Sequence, residues 1–135
     1  MKFGGASVKD AASIRNVAEI IALHQEHALV VVISAIDKTT NHLETLAYLA
    51  RDGKEQEAKE QFDKIKRFHL GIVAGLFGDK QAEVKAKVEA FIERIDRIVN
   101  GILMLEEFPP RTYDRIVSFG ELLSTTIVAE YMKSI

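Results

Sequence analysis

Leu29-Val30-Val31-Val32-Ile33 is a continuous, largely β-branched run bounded by polar residues, the pattern of a strand covered on both faces. Before it, Ile14, Val17, Ala18 and Ile21 fall at i, i+3, i+4 and i+7, one buried stripe of a helix that Asp10 is placed to cap. Earlier still, Met1-Lys2-Phe3 reads as a short strand running into the glycine pair Gly4-Gly5. Strand, helix and strand joined by a helical connection of this length predict a βαβ unit over residues 1–41, with parallel pairing and a right-handed crossover.

From His42 onward the period is helical. A segment from His42 to Arg51 ends at Gly53. The charged stretch Lys54 to Lys66 leads into Phe62, Ile65, His69, Ile72, Val73 and Leu76, closed by Gly78. Val84, Val88, Phe91, Ile95, Ile98, Ile102 and Leu105 then alternate at three and four. They predict a helix from Lys80 to Glu107, on the order of 40 Å long, packed in a bundle rather than in a coiled-coil seam. Gly101 is a point where it can bend, and Pro109-Pro110 stop it. The last helix starts near Asp114, with Ile116, Leu123, Ile127 and Tyr131 on one face and Gly120 on the same side. The fold class is therefore α/β: one domain in which residues 1–41 form the βαβ unit and residues 42–135 a helical part.

Composition adds few constraints. A hydrophobic content of 47% supports a packed core, and a formal charge of −2 gives no electrostatic footprint for nucleic acid. No apolar run approaches a membrane span, and no signal-peptide pattern opens the chain. The absence of cysteine excludes disulfides and thiolate metal sites and is compatible with a cytoplasmic location.

Three segments carry candidate chemistry. Adjacent glycines at Gly4-Gly5 let bare N–H groups approach a ligand, and Lys2 adds a movable positive charge, which together suit a phosphate; the competing reading is an ordinary turn. The loop Ser34-Ala35-Ile36-Asp37-Lys38-Thr39-Thr40-Asn41 lies where ligands gather, beyond the carboxyl end of a parallel strand. Ser34 and Thr40 offer hydroxyls to a small polar substrate, or Thr40 or Asn41 simply caps the next helix, with Asn41 and Glu44 at capping-box spacing. In Ser118-Phe119-Gly120-Glu121, a glycine inside a helix costs about 1 kcal/mol relative to alanine and so points to a close approach. Glu121 is either a solvated carboxylate or a partly buried one receiving a substrate ammonium group. The histidines offer less. His24 and His27 lie three apart with no third ligand and read as helix-end residues, and His69, on an apolar stripe, reads as a hydrogen-bonded core residue.

In this order and spacing, Lys2-Phe3-Gly4-Gly5-Ala6-Ser7-Val8, Val32-Ile33-Ser34-Ala35 with Thr40-Asn41-His42-Leu43, and Ser118-Phe119-Gly120-Glu121-Leu122-Leu123-Ser124 resemble the aspartokinase family over essentially the whole chain. The resemblance implies a partial amino-acid-kinase fold and transfer of the ATP γ-phosphoryl to the side-chain carboxylate of L-aspartate, opening lysine, threonine and methionine synthesis. It implies that Lys2 is catalytic, neutralising the transferring group, and that Lys2, Phe3, Gly4, Gly5 and Ser7 form the phosphate side. Ser34 and Thr40 would touch aspartate, and Glu121 would take its ammonium. Mg²⁺ would accompany ATP, with no metal ligand from this segment, and the enzyme would be a homo-oligomer without nucleic-acid or membrane partners. Ala6 departs from the family's usual threonine, and Asp37 and Lys38 stand in a loop that is often less charged. Family members continue with further strands, a nucleotide-base pocket, an active-site arginine and aspartate, and regulatory ACT-type domains. The expectation is thus an N-terminal piece of the catalytic domain, inactive alone and prone to self-association through an open sheet edge. The competing readings are another enzyme of the same fold, acting on glutamate, acetylglutamate or a nucleotide, and a non-catalytic helical interaction module.

Overall fold

The computed structural model describes residues 1–135. Strand β1 (Lys2–Phe3) leads through a 3₁₀ turn (Gly5–Val8) into α1 (Ala11–Ala22), and β2 (Val32–Ile33) follows. Helices α2 (Thr39–Arg51), α3 (Glu55–Phe77), α4 (Ala82–Leu105) and α5 (Pro110–Ser134) complete the chain. The two strands pair in parallel, Lys2 opposite Val32 and Phe3 opposite Ile33. Asp10 caps α1 as expected: its carboxylate accepts the Ser13 N–H at 2.7 Å. Ile14, Val17, Ala18 and Ile21 form the buried stripe.

The strands are shorter and barer than the apolar run suggests. Only Val32 and Ile33 of the Leu29–Ile33 run form β2, because β1 offers just two residues to pair with. Ile33 is buried, whereas Val32 is 55% and Val30 78% exposed, so the run is covered on one face and not on both.

Helix α2 sits at the centre of the helical part and packs against α3, α4 and α5. Its Leu43, Leu46 and Ala47 meet a core that includes Val88, Ile95, Ile116, Phe119, Leu123 and Ile127. On α4 the buried residues are Val84, Val88, Ile92, Ile95, Val99 and Ile102. Ile92 and Val99 replace Phe91 and Ile98, which are half-buried, and Leu105 is exposed. The physical reason is the mismatch between a strict three-four alternation and 3.6 residues per turn, which rotates such a stripe by about 20° per heptad. A helix packed on several neighbours buries a broader face. Helix α4 continues through Gly101 and ends at Leu105, with Glu106 in the left-handed region at φ 56°.

Two helix starts differ from expectation. Helix α5 begins at Pro110, not near Asp114, because a proline in the first turn forfeits no intrahelical bond. Helix α2 begins at Thr39, three residues before His42. Neither the Thr40 or Asn41 cap nor the Asn41–Glu44 capping box forms; Lys38 stands at the cap position without a side-chain bond. Between α4 and α5, Phe108 and Tyr113 pack with Tyr48 of α2, and the Tyr113 hydroxyl donates to Glu44 at 2.5 Å. That bond, with some burial, pushes the phenol up to about 12. These contacts fix α5 beside α2, which is what carries Gly120 to the loop after β2. No helix is long and apolar enough to cross a membrane.

Candidate functional site

The three candidate segments meet around Ala35. Ser34 donates its N–H to the Phe3 carbonyl at 3.0 Å, continuing the strand pairing into the loop. Asp37 donates its N–H to the Gly5 carbonyl at 3.1 Å. A Cβ on Gly5 would lie 2.6 Å from the Asp37 carbonyl oxygen and 2.9 Å from that of Ala35, distances real Cβ atoms do not adopt. Glycine at position 5 is therefore what lets the first loop press backbone to backbone on the second. From the other side, a Cβ on Gly120 would lie 2.8 Å from the Ala35 Cβ and 3.4 Å from the Thr40 hydroxyl. The close approach anticipated for this helix glycine is thus real, and its partner is the loop after β2.

Around this contact, Lys2 and Ser7 are exposed, and Phe3, Gly4, Gly5 and Ser34 are half-buried. The Ser7 N–H donates to the Gly4 carbonyl at 3.0 Å, closing the turn. Thr40 is exposed in the first turn of α2, where backbone N–H groups lack intrahelical acceptors and favour a carboxylate. Glu121 follows Gly120, about 100° further round α5. It is exposed, not partly buried: the helix turns Gly120, not Glu121, toward the loop. Five ion pairs form in the chain, and neither Lys2 nor Glu121 takes part in one. Both charges stay available to a ligand.

None of the main cavities is lined by Lys2, Thr40 or Glu121. A hollow of about 430 Å³ touches the glycine loop at Phe3, Ala6 and Ser7 but opens along α1. A smaller one of about 110 Å³ lies under the start of α2, beside Thr39, His42 and His69.

The histidines separate as their positions suggest. His24 and His27 are exposed, and His24 Nδ1 donates to the Ile20 carbonyl at 2.9 Å. His69 is fully buried, and its Nδ1 donates to the Ile65 carbonyl at 2.8 Å. Burial holds its imidazole below the ordinary value; the hydrogen bond to Ile65 opposes the shift and neighbouring His42 adds to it. No group of three or more His, Asp or Glu is arranged to hold a metal ion.

Two features of the site went unread in the sequence. Asp37 adopts φ 48°, a left-handed backbone at a residue other than glycine, which bends the loop toward Gly5. Ala35, the small residue that ends the Val32-Ile33-Ser34-Ala35 segment, is the surface on which Gly5 and Gly120 both rest. An aspartate after an apolar run is a weak sign of the first, and nothing local signals the second.

Comparison with known proteins places this geometry. The model of the amino acid kinase family matches residues 1–135. The chain is 36% identical to Aspartokinase 1, chloroplastic, of Arabidopsis thaliana, covering 100% of this chain and 23% of that protein. It is 33% identical to the aspartokinase of Chlamydia trachomatis, over 96% of this chain and 26% of the relative. The crystal structure of E. coli aspartokinase III in complex with aspartate and ADP (R-state) superposes with a TM-score of 0.79 at 29% identity, over 98% of this chain and 28% of that one. The chain therefore spans about a quarter of the length of these relatives. With the family model matched from end to end and the two-stranded parallel unit and its helices shared with a solved aspartokinase, the chain belongs to the amino acid kinase family.

Proposed function

We propose that these residues form the aspartate side and part of the phosphate side of an aspartate kinase. The observation that carries this reading is the meeting of three separate segments on Ala35, in a fold shared with an enzyme crystallised with aspartate and ADP. In the reaction a side-chain carboxylate oxygen of L-aspartate attacks the γ-phosphorus of ATP, the bond to the β-phosphate oxygen breaks, and ADP leaves. The nucleophile is already ionised at neutral pH, so alignment and charge stabilisation are what the protein must supply. Lys2 neutralises charge on the transferring group, while the backbone from Phe3 through Gly5 and the Ser7 hydroxyl hold phosphate oxygens. Ser34 and Thr40 orient aspartate, with the first turn of α2 favouring a carboxylate, and Glu121 receives the ammonium group.

Magnesium fits as an ion brought in on the nucleotide, because its oxygen ligands can come from phosphates and water and the chain offers no acidic cluster to cage it. Entry into lysine, threonine and methionine synthesis, a cytoplasmic location and homo-oligomeric assembly belong to the same proposal. It is tested by isothermal titration of L-aspartate into the protein expressed from its complete coding sequence. Glu121→Ala and Thr40→Ala are each expected to weaken binding at least about tenfold, the loss of one hydrogen bond to a charged group of the ligand. Unchanged affinity in both variants would favour a non-catalytic helical module. The 135-residue polypeptide by itself is expected to show no aspartate-dependent ADP release; measurable turnover would show that a quarter of the relatives' length suffices.

A further inference from the structure

The hollow of about 110 Å³ under the start of α2 is lined by Asp37, Lys38, Thr39, His42, Lys64 and His69, among others. Ser34, Thr40 and Glu121 do not line it, so it is separate from the substrate side proposed above. Asp37, Lys38 and Lys64 are exposed at its rim, and none of them takes part in an ion pair. The proposed function leaves all three charges unused.

Inside the hollow the hydrogens do not balance. His69 is fully buried, and its Nδ1 faces the Ile65 carbonyl at 2.8 Å. A carbonyl only accepts, so Nδ1 carries the hydrogen and Nε2 keeps a lone pair. The nearest polar atom to Nε2 is the Thr39 hydroxyl oxygen at 3.4 Å. That hydroxyl gives its hydrogen to the Ile36 carbonyl at 2.6 Å, so two lone pairs face each other and Nε2 has no donor in the protein. A buried acceptor left without a donor is costly and rare, and it calls for a bound group that carries one.

His42 supplies the complement. The Gln61 side-chain nitrogen lies 3.1 Å from the His42 carbonyl and 3.3 Å from His42 Nδ1, and its two hydrogens serve both. Nδ1 therefore accepts, and Nε2–H is the donor that His42 has left to offer the hollow. Burial and then the charge of Lys64 hold this imidazole below its ordinary value; Asp37 opposes the shift and Lys38 adds to it. The ring thus stays neutral within electrostatic reach of both ammonium groups. The volume lies between the roughly 30 Å³ of one liquid water and the roughly 150 Å³ that accommodates benzene, which is room for a four-oxygen anion.

We propose that this hollow is a binding site for a small oxyanion that keeps one O–H at neutral pH, hydrogenphosphate above all. Its bare oxygens accept from Lys38, Lys64 and the His42 N–H, and its O–H donates to His69 Nε2. Two ammonium groups match the two negative charges of hydrogenphosphate. Sulfate has the same shape and charge but no hydrogen at neutral pH, so it presents a lone pair to Nε2 and repels the Asp37 carboxylate without relief. The site is selective because of an acceptor, not because of its charge. The inference does not depend on the aspartate reading of the neighbouring loop.

The test is isothermal titration of inorganic phosphate and of sulfate, at neutral pH and matched ionic strength, into the protein expressed from its complete coding sequence. Phosphate is expected to bind at least about tenfold more tightly than sulfate, the worth of one hydrogen bond to a charged group. Lys38→Gln and Lys64→Gln should each weaken phosphate about tenfold. His69→Phe should bring the two anions to equal affinity. Equal affinities in the unmodified protein would overturn the proposal, as would phosphate binding that both lysine variants leave intact, since the anion would then sit elsewhere. If His69→Phe does not fold, the phosphate-to-sulfate ratio of the unmodified protein and the loss in Lys64→Gln decide between the same outcomes.

Discussion

Gly101 of α4 and Gly120 of α5 both interrupt the interior of long helices, and their flanking residues do not tell them apart. Their surroundings do. A Cβ added to Gly101 meets no side chain or neighbouring element within 4 Å, whereas one added to Gly120 runs into Ala35 of the loop after β2. The same roughly 1 kcal/mol of lost helix propensity is spent at both places. At Gly120 it brings a helix against a loop and the site's segments together; at Gly101 no contact of that kind accounts for it. A mid-helix glycine therefore marks a site only when something stands opposite it, and what stands opposite is decided by distant parts of the chain.

Substitutions sharpen this contrast. The largest effect is expected at Gly5, where an alanine Cβ would meet two backbone carbonyl oxygens that cannot swing away. Gly5→Ala should destabilise by about 3 kcal/mol or more and displace the 35–37 loop, as read by chemical denaturation and by the Asp37 amide resonance. Gly120→Ala comes next. Overpacking against Ala35 outweighs the gain in helix propensity, for a net loss of about 1–2 kcal/mol that the double variant with Ala35→Gly should recover. Gly101→Ala should instead stabilise by up to about 1 kcal/mol. If Gly101→Ala and Gly120→Ala shift the denaturation midpoint in the same direction, the distinction between the two glycines fails.

The smallest effect concerns pH. Burial depresses the His69 imidazole below its ordinary value of 6.5, and His42 is depressed by partial burial and nearby Lys64. Where the unfolded chain binds the proton and the folded one does not, stability rises with pH. The histidine contribution is therefore complete above about pH 6.5 and is lost as pH falls below it. For buried His69 the loss between about pH 6.5 and 5.5 is at most about 1 kcal/mol. The depressed carboxylates, Asp10, Asp52 and Glu130, titrate lower, below their ordinary 3.8 to 4.5, so this window isolates the histidines. Thermal melts across it should show a shallower slope for His69→Phe than for the unmodified chain.

The two halves of the chain differ in how much of them was legible. In residues 42–135 nearly every helix is announced by its apolar period, and errors are local. Pro110 starts a helix that Asp114 was expected to open, and the α4 stripe rotates onto Ile92 and Val99. In residues 1–41 the βαβ order, the Asp10 cap and the glycine turn were legible, but the extent of β2 was not, since a strand is as long as its partner allows. The site divides the same way. Gly120 announced a close approach; the packing of Gly5 on the backbone of residues 35–37, the exposure of Glu121, the left-handed Asp37 and the buried His69–Thr39 contact did not announce themselves.

Local chemistry written in the residues themselves determined which segments become helix or strand, where glycine is required, and which side chains have a charge or hydroxyl to offer, because propensity, period and capping act over a few neighbours. Only the packed molecule decided that Ala35 is the surface shared by Gly5 and Gly120, that Glu121 faces solvent, and that His69 stands behind Thr39. Those relations join residues 30 to more than 80 positions apart, and the excluded volume and burial that select among such contacts exist only once the chain is folded.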